Sequence, residues 1–342
     1  MAAADWPGLK GRRQDASGRG RLRGIGMAVY VEACGGEDAE AAGIFFEDDG
    51  VVSIQVGTQA SGQGHDTVFA QIVEDRLGIA FDQLRLVQGD TDIIPSGVGT
   101  VGSRSLAVCG SAIAVAADKV IHKARTIAAH VLEAAEADIE FAHGVFTVAG
   151  TDRRITLMDV AAQSRDPAVA AAADMEPGLD QRVHHKVPET TFPNGCHVCE
   201  VEIDCDTGVV EIAQYTVVDD FGRVINPMIV DGQVHGGIAQ GLGQALFERT
   251  VYDETTGQLL SASFMDYCMP RADDLPSFDV SRNETPCTTN ALGAKGCGET
   301  GAIGAPSAAI NAIIDAMAQA GVGAFDMPAT PERVWRALRE AS

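Results

Sequence analysis

The sequence predicts an α+β fold of two similarly built subdomains, each a mostly antiparallel sheet with helices packed on it. Three observations predict it. An alternating hairpin, a glycine-rich loop and a helix follow one another in each half of the chain. The 342 residues are enough for two packed domains or one large one. An alanine-rich stretch without a clear period, 165–187, lies between the two series and reads as their connector. The halves share a pattern but little sequence. Subdomains are therefore expected over 24–187 and 188–342, behind a basic arm at 1–23.

In order, the arm carries Lys10, Arg12, Arg13, Arg19, Arg21 and Arg23 with the single acid Asp15 among them. Such a run suits an acidic partner, the chain's own acidic face or partial disorder, and the sequence leaves the three open. A strand is predicted over 24–33, then a hairpin over 44–46 and 52–56 turning at Asp48-Asp49-Gly50. From Thr67, the residues Val68, Phe69, Ile72, Val73 and Leu77 recur at helical spacing, and Gly78 fits the position just past the last turn. A short strand at 84–87 precedes a polar loop at 90–105. Ile113, Ala116, Val120, Ala124, Ile127 and Val131 then mark one face of a long helix. A strand pair over 139–148 and a short helix over 157–162 close the first series.

In the second series, 197–204 and 209–219 form a hairpin turning at Asp206-Thr207-Gly208, and 221–227 is a loop. A glycine-laden helix spans 229–247, and strands near 250–252 and 278–282 flank an irregular segment at 269–276. A glycine-rich turn holding one carboxylate, G-A-K-G-C-G-E-T-G over 293–301, leads into a helix over 302–320.

Charge and cysteines limit the function. Lys and Arg number 25 against 48 Asp and Glu, a net charge of −23. Phosphate backbones need clustered cations, so nucleic acid is not an expected partner. No run of eighteen apolar residues occurs, which predicts no membrane span. The Arg12-Arg13 pair is not followed by the apolar segment of an export signal. The eight cysteines are scattered, as reduced thiols of a cytoplasmic protein are. Cys196, His197, Cys199 and Cys205 cluster, but 197–205 alternates like a strand. Cys199, Val201, Ile203 and Cys205 would share one face and Cys196 would point away, which reads as buried thiols and assigns no metal ligand.

The glycine segments point to an anionic ligand. Gly62-Gln63-Gly64-His65 and Gly102-Ser103-Arg104-Ser105 each stand at a helix start, where unsatisfied N–H groups suit phosphate. Ser103 and Ser105 add hydroxyls, Arg104 a planar fork for phosphate oxygens, and His65 a ring donor. Gly232, Gly236, Gly237, Gly241 and Gly243 sit inside the 229–247 helix and together cost about 4–5 kcal/mol relative to alanine. Close packing on another backbone or on a flat ligand has to offset that cost. Gln233, Gln240 and Gln244 on the same helix offer amides to a heterocycle edge. Glu299, flanked by glycine, has backbone room for a ligand and suits a carboxylate acting on one.

Four motifs, in order, resemble the molybdenum hydroxylases: G-Q-G-H-D-T at 62–67, G-D-T-D-x-x-P-x-G-x-G-T-x-G-S-R-S at 89–105, I-N-P-x-x-V-x-G-Q-x-x-G-G-x-x-Q-G-x-G at 225–243 and K-G-x-G-E-x-G at 295–301. The relatives are xanthine dehydrogenase, aldehyde oxidoreductase and aerobic carbon monoxide dehydrogenase. The resemblance runs over about 24–320 and corresponds to the second, C-terminal molybdenum-binding half of the large subunit.

It implies that Gly62, Gln63, Gly64, His65 and Thr67, with Gly102, Ser103, Arg104 and Ser105, hold a molybdopterin and its diphosphate, in the cytosine dinucleotide form. Gln233 would contact the nucleotide end, Lys295 and Gly296 would complete the cofactor-binding set, and Lys295 would also help hold the catalytic loop. Glu299 matches the catalytic glutamate, which takes the proton of a molybdenum-bound hydroxide as its oxygen attacks a substrate carbon. The implied activity is oxidation of an aldehyde or N-heterocyclic carbon with water as oxygen source. The family's first molybdenum-binding half and its iron–sulfur and flavin domains are missing. The resemblance therefore implies a split subunit in preference to a fragment, with a second molybdenum-binding chain and iron–sulfur and FAD subunits as partners. A non-catalytic cofactor carrier or scaffold is the alternative. A generic nucleotide-binding α/β protein is disfavoured, because no G-x-G-x-x-G fingerprint stands in a strand–helix setting.

Overall fold

The computed structural model describes residues 3–36 and 38–341. Helix α1 (Leu9–Gly18) leads into strand β1 (Arg21–Val31), followed by β2 (Glu40–Phe46), β3 (Val52–Val56), α2 (His65–Leu77) and β4 (Leu84–Val87). After the polar loop, a π-helical turn (Ser105–Gly110) runs into α3 (Ser111–Val131). Next come β5 (Ile139–Ala142), β6 (Val145–Val148), β7 (Arg154–Thr156), α4 (Leu157–Ser164), α5 (Pro167–Ala172) and β8 (Gln181–His185). The remainder is β9 (Asn194–Asp204), β10 (Val210–Asp220), α6 (Pro227–Leu246), β11 (Asp279–Arg282), α7 (Thr300–Met317) and α8 (Pro331–Ala341).

Two four-stranded sheets share one plan. One has the order β4-β3-β2-β8 and the other β11-β10-β9-β1. In each, the central hairpin is flanked by an antiparallel strand on one side and a parallel strand on the other. A helix, α2 or α6, makes the crossover to the parallel strand, as parallel pairing requires. Separate apolar clusters lie under the two sheets, one around Ile44, Ile54, Phe69 and Ile113, the other around Tyr215, Ile238, Leu242 and Ile313. The strand trio β5-β6-β7 is a satellite of the first.

The expected boundaries need correction. The strand expected at the head of the 24–187 unit is β1, and it pairs along its length with β9 of the other sheet, from Arg21–Asp204 to Val31–Asn194. Its glycines explain the placement. A Cβ on Gly24 or Gly26 would stand 2.2 Å from main-chain atoms of Ala312, so only glycine lets α7 lie directly on β1. The connector 165–187 contains α5 and also β8, the edge strand that completes the first sheet. The strand near 250–252 is a single bridge between Tyr252 and Leu259. Helices α1 and α8 were not anticipated. The first buries only Leu9 and Ala16, too few to imprint a period, whereas Val334 and Leu338 of α8 are four apart behind a first-position proline.

Two helical stretches, Ser105–Val131 and Thr300–Ala320, are long and apolar enough by composition to cross a bilayer. Their apolar windows are 61% and 50% buried inside the fold, which makes them core helices. The glycines of α6 divide by environment. A Cβ on Gly301 of α7 would fall 2.5 Å from the Ile238 nitrogen of α6, and one on Gly237 2.9 Å from the Gly301 Cα, so the two helices touch backbone to backbone. Gly232 and Gly236 face open space, and no packing among the described residues offsets their cost.

The basic arm lies on the chain's own acidic face. The outward face of the second sheet carries Glu200 and Glu202, both buried beneath it. Arg12 and Arg23 reach Glu200 at 2.8 and 2.6 Å, and Arg19 and Arg23 reach Glu202 at 2.6 Å each. The Arg19 hydrogen bond, followed by that of Arg23, holds the Glu202 carboxyl below its ordinary range against the effect of burial. A lowered folded-state value contributes stability above the unfolded value, about 4.3, and that stability is lost as pH falls through the folded value. Urea midpoints are expected to drop as pH falls below about 5, and the Arg19→Ala/Arg23→Ala variant is expected to start lower and show a flatter decline. An unchanged pH profile in that variant counts against the pairing.

Candidate active site

Three glycine segments converge on one cavity between the two sheets' helices. Gly64, left-handed at φ 79°, precedes α2, and no side chain caps that helix. A Cβ at Gly64 would stand 2.5 Å from Ile229 Cδ1, so the N-terminal ends of α2 and α6 meet here. The polar loop ends in two left-handed residues, Gly102 at φ 59° and Ser103 at φ 49°, an uncommon conformation for serine. The turn before α7 lies on that loop, because a Cβ at Gly296 would fall 2.5 Å from the Ser103 carbonyl oxygen. The cavity is open on one side and measures about 470 Å³. Val68, Phe69, Leu106 and Ile229 give it apolar walls, and Gln63, Ser103, Ser105 and Gln233 are among its polar lining.

Glu299 is the N-cap residue of α7, yet its side chain does not cap that helix. Its carboxylate instead accepts from the Ser103 hydroxyl at 2.8 Å and borders the cavity. The loop beneath is fixed from behind: Lys295 Nζ lies 3.1 Å from Asp220, and the Lys295 N–H donates to the Phe221 carbonyl at 2.8 Å. Burial opposes the charge on Asp220, but hydrogen bonds from Gly222, Thr285 and Lys295 hold its carboxyl below the ordinary range. Behind α7 runs a buried polar row: Tyr30 donates to Asp219 at 2.8 Å, and His197 Nδ1 lies 2.7 Å from the Tyr215 hydroxyl.

Of the site residues read from the sequence, Gln63, His65, Gly102, Ser103, Ser105, Gln233, Lys295, Gly296 and Glu299 line this single cavity. Gly62, Gly64, Thr67 and Arg104 do not. Arg104 is the main correction. It is buried, ion-paired with fully buried Glu40, and donates to the Asp38 carbonyl at 3.0 Å, so its fork faces away from the cavity. His65 also differs from the donor role. Its Nδ1 lies 3.2 Å from Gln88 Oε1, an acceptor, which places the ring hydrogen there. Nε2 is then an unpartnered acceptor, and burial lowers the imidazole's proton affinity. Lys295 spends its ammonium on Asp220, as a loop anchor does.

The sequence reading passed over Ser61 and Thr100, which also line the cavity. Thr100 donates to the Gln59 carbonyl at 2.6 Å. Their signal was available, since each is a hydroxyl residue within a glycine segment. Cys297 borders the cavity as a thiol that burial pushes up to about 12. Cys199 lies in the inner cluster and Cys196 with Ile25 and Val198 on the outer face. Among the described residues no group of three or more His, Cys, Asp or Glu is arranged to hold a metal ion.

The donor set fits a flat, anionic heterocycle. Apolar walls accept ring faces, amides and hydroxyls meet ring edges, and the uncapped start of α2 presents N–H groups to a phosphate. Residues 1–276 match the profile of the molybdopterin cofactor-binding domain. The chain is 37% identical to the carbon monoxide dehydrogenase large chain of Hydrogenophaga pseudoflava, over 99% of this chain and 44% of that one. It is 36% identical to the nicotine 6-hydroxylase large subunit of Paenarthrobacter nicotinovorans, over 98% and 42%. Among solved structures, a Cu,Mo-CO dehydrogenase superposes with a TM-score of 0.92 at 35% identity, covering 100% of this chain and 45% of that one. Quinoline 2-oxidoreductase from Pseudomonas putida 86 gives 0.91 at 32%, covering 99% and 44%. The chain thus spans less than half the length of these relatives.

Proposed function

The chain belongs to the molybdopterin cofactor-binding domain family, and from that premise we propose that it is the molybdopterin-binding half of a molybdenum hydroxylase large subunit. The enzyme oxidises an aldehyde or N-heterocyclic carbon, with water as the oxygen source. One observation carries the reading: the carboxylate of Glu299 stands free on the rim of a cavity shaped for a flat anionic ring, held by Ser103 and committed to no other structural task.

When bound, the cofactor supplies Lewis-acid and electron-accepting chemistry. This chain's residues do the rest. Gln63 and Gln233 meet the pterin and nucleotide edges, while Ser103, Ser105 and the uncapped start of α2 receive the diphosphate of a cytosine dinucleotide tail. Gly62, Gly64 and Thr67 shape that start from outside the cavity, and Gly296 lets the catalytic loop close on Ser103. Glu299 accepts the proton released at the reacting water. A carrier would need the cradle but no carboxylate on its rim.

The two sheets with their helices form two subdomains, the first comprising β2 to β8 and the second comprising α1, β1 and everything from β9 onward. A second molybdenum-binding chain supplies the other half of the site. Iron–sulfur and FAD subunits carry the electrons away, in the cytoplasm. The complex purified on a tag at this chain is expected to contain molybdenum by elemental analysis and a cytosine-nucleotide pterin by mass spectrometry of the extract. A complex devoid of both sinks the reading.

A further inference from the structure

Glu32, one residue past the end of β1, lies behind the catalytic loop and has no role in the function above. Its Oε1 is 3.3 Å from the Ser103 hydroxyl oxygen, the same oxygen that stands 2.8 Å from Glu299 Oε2. Its other oxygen, Oε2, is buried and has no hydrogen-bond partner among the described residues. No cation pairs with Glu32 among the described residues: Lys295, the nearest along the loop, is engaged by Asp220. The remaining groups around it are the Cys34 thiol, Glu299 itself and, further back, Tyr30, Asp219 and Cys297.

A serine hydroxyl has one hydrogen and cannot donate to two carboxylates at once. If both acids were ionised, the 3.3 Å contact would set lone pair against lone pair beside a half-buried carboxylate whose Oε2 is shut off from solvent. One of the two must therefore carry a proton, and burial decides which. Glu32 is the half-buried partner, whereas Glu299 is exposed and opens on the cavity.

We propose that Glu32 is a positioning residue for Glu299: it holds a proton on Oε1, donates it to the Ser103 oxygen, and thereby directs the hydroxyl hydrogen onto the Glu299 carboxylate. That carboxylate is thereby held in place and aimed at the cavity. Burial first, and next the neighbouring charge of Glu299, raise the Glu32 carboxyl above the ordinary range, against the Cys34 thiol and the Ser103 hydroxyl. This assignment rests on Glu299 being the base of the site. The left-handed backbone of Ser103 fits the role, since that conformation places one hydroxyl between two acids from distant segments.

Infrared difference spectroscopy of the full chain, carrying ¹³C-labelled glutamate, tests the assignment without any turnover. At neutral pH a protonated glutamate carboxyl band is expected, shifting on deuterium exchange. It is expected to vanish in Glu32→Gln and persist in Glu299→Gln. Ser103→Ala leaves both acids in place and is expected to shift the band, so the test holds even if Glu32→Gln fails to fold. No band in the parent chain, or an unshifted one in Ser103→Ala, overturns the shared-proton arrangement alone. A band that survives Glu32→Gln and disappears in Glu299→Gln overturns it together with the assignment of Glu299 as base.

Discussion

Replacing Glu299 by glutamine in the assembled enzyme is expected to lower kcat by about 10²–10⁴-fold, the range a positioned general base contributes. Molybdenum and pterin content should not change. The substitution is nearly isosteric, and the amide oxygen can still accept from Ser103 at the present 2.8 Å geometry. Neither the loop nor the cavity loses a contact that holds it, because Lys295 and Asp220 fix the loop from behind. What disappears is a group able to accept a proton on the cavity rim. Steady-state kinetics paired with metal and pterin analysis separate the two readings of the site. A fall in kcat with full cofactor occupancy supports the base, and unchanged turnover removes it. Loss of the cofactor along with activity makes Glu299 part of the cradle instead.

Much of the site was legible because glycine marks places where backbone must approach something closely. Gly64 meets Ile229 of α6, and Gly296 meets the Ser103 carbonyl, so segments far apart in sequence each announced their half of one contact. The hairpin–helix plan was legible because alternation and helical spacing are local. Pairing is not. Nothing within 21–31 states that its partner is 194–204, since the side-chain pattern specifies a face and leaves the neighbour open. The acids of β9 show the same limit. Alternation put Glu200 and Glu202 on a polar face, and that face is polar because the arm's arginines cover it. Glu32 gave no signal at all, because its meaning depends on Ser103 and Glu299 arriving from elsewhere.

Arg104 is the case where a local reading misleads, and it carries the largest expected effect on stability. An arginine between two serines in a glycine loop reads as a phosphate ligand, yet its partner is Glu40, 64 residues away and fully buried. Arg104→Met is expected to destabilise the chain by about 3–5 kcal/mol, because it strands a buried carboxylate. Glu40→Leu/Arg104→Met removes both charges and is expected to regain much of that loss, as apolar replacement of a buried pair commonly does. Urea unfolding of the cofactor-free chain measures both. Ser103 and Ser105 flank Arg104 on the cavity side, so the single variant is also expected to hold the pterin less firmly although Arg104 does not line the cavity. Were Arg104 gripping the diphosphate directly, Arg104→Met would leave the urea midpoint of the empty chain unchanged, and the double variant would bind cofactor no better than the single. The geometry favours the opposite pattern: a guanidinium that ties the polar loop to Asp38 and Glu40 determines where the two serines stand, and so acts on the ligand through the backbone between them.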